Sequence, residues 1–285
     1  MLTTIALTDK IGSEIRGLDL AGETPDEAIA QVVQTLAERG VVVIRNQNLS
    51  IDQFMAFSRR VGPLAIHSLN QFSKPGHPEL MVNSNIIENG KPLGLADAGR
   101  DWHTDGAYTE TPYRSTILYS VEIPIENGKA LGDTVFASTS AAYNGLDPAM
   151  KQTVDPLQAV HAHGVARDKR GNAHALEAEQ SREMKKGVEH PVVRTHPVTG
   201  RKCLYVDEGT TRQISGMEES ESDALIKRIV EHVIQEKFLY RHNWRVGDVL
   251  MWDNCSTLHQ ALGDYKLPLR RLIYRTLVKG TKPYQ

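Results

Sequence analysis

The sequence predicts a mainly β protein with helices, an α+β sandwich or barrel with helical decorations and long loops. Three observations carry that expectation. Short β-branched runs recur at modest spacing from about Arg114 onward, strict strand–helix alternation is absent, and only three segments carry a good helical period.

The first helix is marked by Thr24 as N-cap, Pro25 in the first turn and Glu27 closing a capping box. Its apolar face is Ile29, Val32, Val33 and Leu36, and Gly40 ends it. The β-branched run Val41-Val42-Val43-Ile44 reads as a buried strand. A second helix starts at Ser50 with Gln53 as its box partner and stops at Gly62-Pro63. Strands are then expected over 115–123, 134–137, 157–163, 192–196, 202–206, 238–243, 248–252 and 272–278. A late amphipathic helix places Leu225, Ile229, Val233 and Ile234 inward. Residues 84–100 and 168–188 read as long surface loops, and loops of that length are candidate lids.

Composition narrows the function classes without naming one. The chain has 285 residues, 40% hydrophobic and 24% charged, enough for one large domain, and no linker divides it. With 33 basic and 35 acidic residues the net charge is −2, which gives no electrostatic case for nucleic acid or an anionic membrane. No apolar run is long enough to span a bilayer, and the N-terminus has no secretion signal. Two cysteines, Cys203 and Cys255, are too few for a disulfide framework, so a reducing cytoplasm is expected.

Among 11 histidines, the pattern His-x-Asp/Glu occurs at His77-Pro-Glu79 and His103-Thr-Asp105. On an extended chain residues i and i+2 share a face, so an imidazole and a carboxylate would address one ion. About one such pair is expected by chance, so context decides. His77 lies among prolines and reads as a surface turn; His103 lies between Trp102 and Gly106, ahead of a clear strand. A distant third ligand is offered by His259, after Trp252-Asp253-Asn254. Arg270, Arg271 and Arg275 follow on an otherwise apolar strand, where a buried guanidinium needs an anion. His161 and His163 also share a face, but a structural role is the simpler reading.

Trp102-His103-Thr104-Asp105, Gly132-Asp133-Thr134, Trp252-Asp253-Asn254, His259 and Arg271 to Arg275 occur in that order. Together they resemble the taurine dioxygenase and dichlorophenoxyacetate dioxygenase (TauD/TfdA) family of iron(II), 2-oxoglutarate-dependent oxygenases, almost end to end. The resemblance implies a single domain over 1–285 and a double-stranded β-helix, or distorted jelly-roll. It implies Fe(II) on His103, Asp105 and His259, with 2-oxoglutarate and O2 as cosubstrates. Thr134 and Arg271 would hold the distal carboxylate, Arg270 remaining open as the alternative. Arg275 would lie near both cosubstrate and substrate.

On the substrate side the resemblance implies His67 and Asn85 (or Asn83), with Tyr108 and Trp102 lining an aromatic wall and His196 adding positive charge. The implied reaction oxidises an unactivated C–H bond of a small organic anion, a sulfonate or aryloxy-carboxylate, releasing succinate and CO2. Desaturation or another oxidative outcome, an inactive relative that only binds metal and 2-oxoglutarate, and a zinc hydrolase stay open. A homo-oligomer, dimer or tetramer, is expected by analogy. The segment 125–131 ahead of Gly132 is longer than in many relatives.

Overall fold

Val41–Ile44 is apolar at every position because both faces of its strand are covered. Val42 and Ile44 pack with Val32, Leu36, Phe54, Val249 and Met251, whereas Val41 and Val43 pack with Leu118, Phe136, Leu250 and Trp252. The structure is a computed structural model describing residues 2–67, 70–96, 99–163 and 186–285. It is mostly β with a few helices.

The strand belongs to a nine-stranded sheet. Its order is Thr3–Ala6, Ser13–Arg16, Val41–Ile44, Val249–Asp253, Ser115–Glu122, Leu272–Val278, His77–Ser84 and Ser73–Lys74, with Leu64–Ala65 also paired to Leu272–Val278. Helices Asp26–Arg39 and Ile51–Val61 cover its outer face with Val32, Leu36, Phe54, Met55 and Phe57. Its inner face meets a three-stranded sheet ordered Leu239–His242, Thr134–Ser138, Thr257–Ala261. Phe136 of the small sheet lies 5.4 Å, ring to ring, from Trp252 of the large one. A second three-stranded sheet, Val188–Pro191, Gln158–His161 and Thr211–Ile214, packs with helix Glu219–Val233 in a separate apolar cluster.

The capping box at Ser50 is present in both directions, Gln53 N donating to Ser50 Oγ and Ser50 N to Gln53 Oε1. The first helix begins one residue later than its sequence implies. Pro25, not Thr24, is the N-cap; its carbonyl takes the first helical bonds from Ala28 and Ile29. The eight expected strands are present, 272–278 with the expected ends and the others within two residues of theirs.

Other features depart from expectation, and strands Thr3–Ala6, Ser13–Arg16, Val188–Pro191 and Thr211–Ile214 were not foreseen. The His77 turn is instead the start of strand His77–Ser84, which Pro78 tolerates because its partner Ser73–Lys74 is short. The supposed loop 84–100 folds back on this strand: Ser84 N donates to Leu95 O, and Leu95 N to Val82 O. Ile87–Glu88 also pairs with Lys91–Pro92. Helices Thr139–Asn144 and Pro148–Val154 are too short to show a period, though Ser138 and Asp147 cap them. The longer segment before Gly132 is an exposed hairpin, Ile125–Glu126 with Lys129–Ala130. Of the second candidate lid, 168–188, residues 168–185 lie outside the described residues. Among the described residues no helix is long and apolar enough to cross a membrane.

Candidate active site

His103 and His259, 156 positions apart, face each other across an isolated antiparallel bridge. His103 N donates to His259 O (3.1 Å) and His259 N to His103 O (2.8 Å). Directly opposed residues of such a bridge project to the same side, and the two rings lie 4.1 Å apart. Asp105 closes the group: Oδ1 is 3.8 Å from His103 Nε2, and Oδ2 is 3.8 Å from His259 Nε2. One ligating atom from each residue falls within 4.8 Å of the others.

The surroundings prepare these groups as ligands. His103 Nδ1–H donates to Asp101 O at 2.8 Å, which leaves the lone pair on Nε2. Burial, with His103 beside it, holds His259 well below the usual imidazole pKa, so it is neutral. Burial alone would raise the Asp105 pKa, but the Arg275 guanidinium, helped by the hydrogen bond from Thr116, outweighs it and holds the carboxyl well below its usual range. Arg275 Nη2 lies 2.6 Å from Asp105 Oδ1, and Thr116 Oγ1 donates to Oδ2 at 2.6 Å. Two imidazoles and an anionic carboxylate on one side of a gap are a donor set suited to a divalent transition metal with open positions.

The neighbouring arginines divide. Arg270 turns outward and pairs with Glu122 at 3.1 Å, its side chain 51% exposed. Arg271 turns inward over Trp244 and Tyr265, with guanidinium-to-ring distances of 5.8 and 5.7 Å. Burial lowers its pKa, Tyr265 partly compensates, and its Nε has no hydrogen-bond partner among the described residues. Thr134 lies on the same wall, its Oγ1 accepting from Trp244 Nε1 at 3.2 Å.

Three substrate-side expectations need correction. Asn85 commits its amide to backbone: Nδ2 donates to Leu269 O and Oδ1 accepts from Arg271 N, both at 2.9 Å. It anchors the segment bearing Arg271, just ahead of strand Leu272–Val278, with one donor and one acceptor of its amide. His196 is buried and paired to Asp253 at 3.2 Å, with no role as a pocket cation. Trp102 packs with Ala137, Val206 and Leu258 in an apolar cluster. His67 does lie near Arg275 and Asp105; burial and Arg275 bring its pKa down to about 3, so it is a neutral hydrogen-bonding group. Tyr108 stacks obliquely on His163 at 4.8 Å.

Several residues around the centre carried no sequence signal for a role. Thr116 and Asn254 are linked at 3.2 Å, and Asn254 Oδ1 accepts from Asp105 N. The Tyr113 ring lies against Gly106 so closely that a Cβ there would come within 2.7 Å of it. Gly106 also holds φ at 78°, which only glycine adopts freely. Thr116, Asn254 and Tyr113 sit inside ordinary-looking polar or β-rich stretches; the motif Trp252-Asp253-Asn254 was the one available pointer.

The sheet-rich fold and a His–Asp–His group beside buried arginines are the arrangement of a metal site that also receives an anion. The family model "Taurine catabolism dioxygenase TauD, TfdA family" matches residues 3–277, and the chain belongs to that family. An alpha-ketoglutarate-dependent 2,4-dichlorophenoxyacetate dioxygenase of Cupriavidus pinatubonensis is 30% identical over 92% of this chain and 92% of its own. An alpha-ketoglutarate-dependent sulfonate dioxygenase of Saccharomyces cerevisiae is 29% identical over 98% of this chain and 67% of its own. Among solved structures, a taurine dioxygenase from Burkholderia xenovorans superposes with a TM-score of 0.83 at 30% identity, covering 99% of this chain and 90% of that one. The chain is thus a 2-oxoglutarate-dependent dioxygenase, and Fe(II), 2-oxoglutarate and O2 are its cofactor and cosubstrates.

Proposed function

We propose that residues 1–285 form one oxygenase domain of distorted jelly-roll design that oxidises an unactivated C–H bond of a small organic anion. His103, Asp105 and His259 hold the iron, Thr134 and Arg271 hold the distal carboxylate of 2-oxoglutarate, and the substrate lies against His67, Tyr108 and Arg275. The observation that carries this reading is the pairing of two features. A three-donor group has its ligating atoms within 4.8 Å, and nearby stands a buried guanidinium, Arg271, that forms no ion pair among the described residues. A buried cation of that kind calls for an anionic guest.

Iron(II) with 2-oxoglutarate and O2 supplies, when bound, an oxidant able to break an unactivated C–H bond, with succinate and CO2 as coproducts. The chain's own tasks are placement and exclusion. The Asp101 carbonyl fixes the His103 tautomer, and Thr116 with Arg275 keeps Asp105 ionised. Asn85 holds the backbone of Arg271, so the guanidinium meets the cosubstrate in one orientation. Phe136 and Trp252 pack on His259 and keep water from that side. With His67 neutral, Arg275 is the cation that selects an anionic substrate. The sulfonates and aryloxyalkanoates in the relatives' names are the first classes to try.

The test is an anaerobic titration of metal-free protein with iron(II), then 2-oxoglutarate, followed by visible absorption. A charge-transfer band that forms with wild type and is absent from Arg271→Ala at equal cosubstrate supports the reading. No band with wild type removes the metal and cosubstrate assignments together.

A further inference from the structure

Three consecutive residues beyond His259 each meet a different part of the wall that carries Thr134 and Arg271. Gly263 carries the Arg100 guanidinium: a Cβ there would overlap its Cζ and both terminal nitrogens. Asp264 Oδ1 accepts from Gly132 N at 2.7 Å, two residues ahead of Thr134. Tyr265 lies 5.7 Å, ring to guanidinium, from Arg271. A Cβ on Gly132 would come within 2.8 Å of the Tyr265 ring and 3.4 Å of Arg271 Nε. Leu262 N, just before them, donates to Asp133 O at 2.8 Å. One short turn therefore gathers Arg100, the start of strand Thr134–Ser138 and Arg271.

Arg100 is fixed on that turn by its backbone as well. Gln260 Nε2 donates to Arg100 O at 2.6 Å, and Ala261 N donates to Gly99 O at 2.7 Å. The side chain is half-buried, with Nη1 out of solvent. Gly99 borders the metal-facing edge of His103, where a Cβ would come within 3.0 Å of Cε1 and 3.5 Å of Nε2.

Two guanidiniums on one turn repel each other. Burial lowers the Arg271 pKa, and the charge of Arg100 lowers it further. A guanidinium keeps its charge throughout the working pH range. The repulsion is therefore relieved by an anion within reach of both groups, not by loss of a proton.

We propose that Arg100 is a second cation for the cosubstrate, drawing in and orienting the distal carboxylate of 2-oxoglutarate together with Arg271. Gly263 is bare because the Arg100 guanidinium stands where its side chain would be. The proposal rests on the placement of 2-oxoglutarate at Thr134 and Arg271.

A double-mutant cycle tests it, by calorimetry of 2-oxoglutarate binding to Mn(II)-loaded protein. Arg100→Ala is expected to weaken binding about threefold to thirtyfold. Its affinity for Mn(II) alone is expected to stay within about threefold of wild type. Gly263→Ala keeps Arg100 but pushes its guanidinium aside, and is expected to weaken 2-oxoglutarate by about threefold or more. In the Arg100→Ala background the same Gly263→Ala change is expected to cost less than about 1.5-fold.

A loss of less than about threefold in Arg100→Ala overturns the proposal. So do additive losses in the double variant, because Gly263→Ala would then act on the turn itself. A loss of Mn(II) affinity in step with 2-oxoglutarate overturns it too, as a general loosening of the site. Should Arg100→Ala fail to fold, Gly263→Ala decides alone: unchanged 2-oxoglutarate affinity overturns the proposal, and a loss with Mn(II) affinity kept supports it. Arg271→Ala separates this proposal from the reading beneath it. No loss there defeats the cosubstrate placement and Arg100 with it, whereas a loss there and none in Arg100→Ala defeats Arg100 alone.

Discussion

His103, Asp105 and His259 bring ligating atoms within 4.8 Å of one another, and so do His196, Asp253 and Cys255. By residue type and burial the two groups look alike. Their hydrogen bonds separate them. His196 Nδ1 accepts from Val198 N and Thr199 N, both at 3.1 Å, so its proton sits on Nε2 and points at Asp253 Oδ2. Asp253 Oδ1 accepts from Cys255 N at 2.7 Å, and burial beside Asp253 pushes the Cys255 thiol well above its usual pKa. His196 therefore has no ring lone pair left for an ion without breaking bonds already made, and Cys255 is held as a neutral thiol. At the first group the proton is on the far nitrogen of His103, and the carboxylate is held anionic by Arg275. The free imidazole lone pair, more than residue identity, distinguishes the two groups.

The sharpest way to break this contrast is His259→Ala. Metal affinity and 2-oxoglutarate turnover should fall by about a hundredfold or more, measured by calorimetry and succinate release. Retained binding would mean that the ion sits elsewhere, with the second group as first suspect. Arg271→Ala should raise the 2-oxoglutarate KM about tenfold to a hundredfold, from loss of charge-assisted bonds of about 1.5–3 kcal/mol. Arg270→Ala, at an exposed pair, should change it less than about twofold.

His196→Ala sharpens the comparison from the other side. It strands the buried Asp253 carboxylate and two backbone donors, so stability should fall by about 1–3 kcal/mol in urea melts. Metal affinity should stay within about twofold.

The smallest effect concerns pH. Burial, His190 and Arg212 lower the pKa of His161 to about 3. The unfolded chain takes up a proton near pH 6.5 and the folded one does not, so this stabilisation is present above pH 6.5 and lost as pH falls toward about 3. The slope contributed approaches about 1.4 kcal/mol per pH unit, and His161→Asn should flatten it in urea melts taken between pH 6.5 and 4.

Much of this contrast was open to a reader of the chain and part was not. His103-Thr-Asp105 and His259 stood out because metal ligands need particular residue types, and the five motifs in order marked the family. His196 was expected to add charge to the pocket, since a histidine beside Arg194 and Pro197 carries no sign of its tautomer. Asn85 was expected at the substrate, yet its partners Leu269 and Arg271 are more than 180 positions away. Strand His77–Ser84 was hidden by Pro78, and the two short helices by their length. Thr116 and Tyr113 are residues of common type whose importance lies wholly in what faces them.

By itself the sequence determined what depends on neighbours along the chain: the box at Ser50, the strand Val41–Ile44, and the pairing of an imidazole with a carboxylate at 103 and 105. Covalent geometry dictates which side chains share a face within a few residues, so such features are local. The tertiary structure alone decided that Arg271 turns inward and Arg270 out, that His103 presents Nε2, and that His196 spends the ring lone pair that His103 keeps. Those outcomes depend on desolvation and on hydrogen-bond partners brought from distant strands, and no spacing along the chain encodes them.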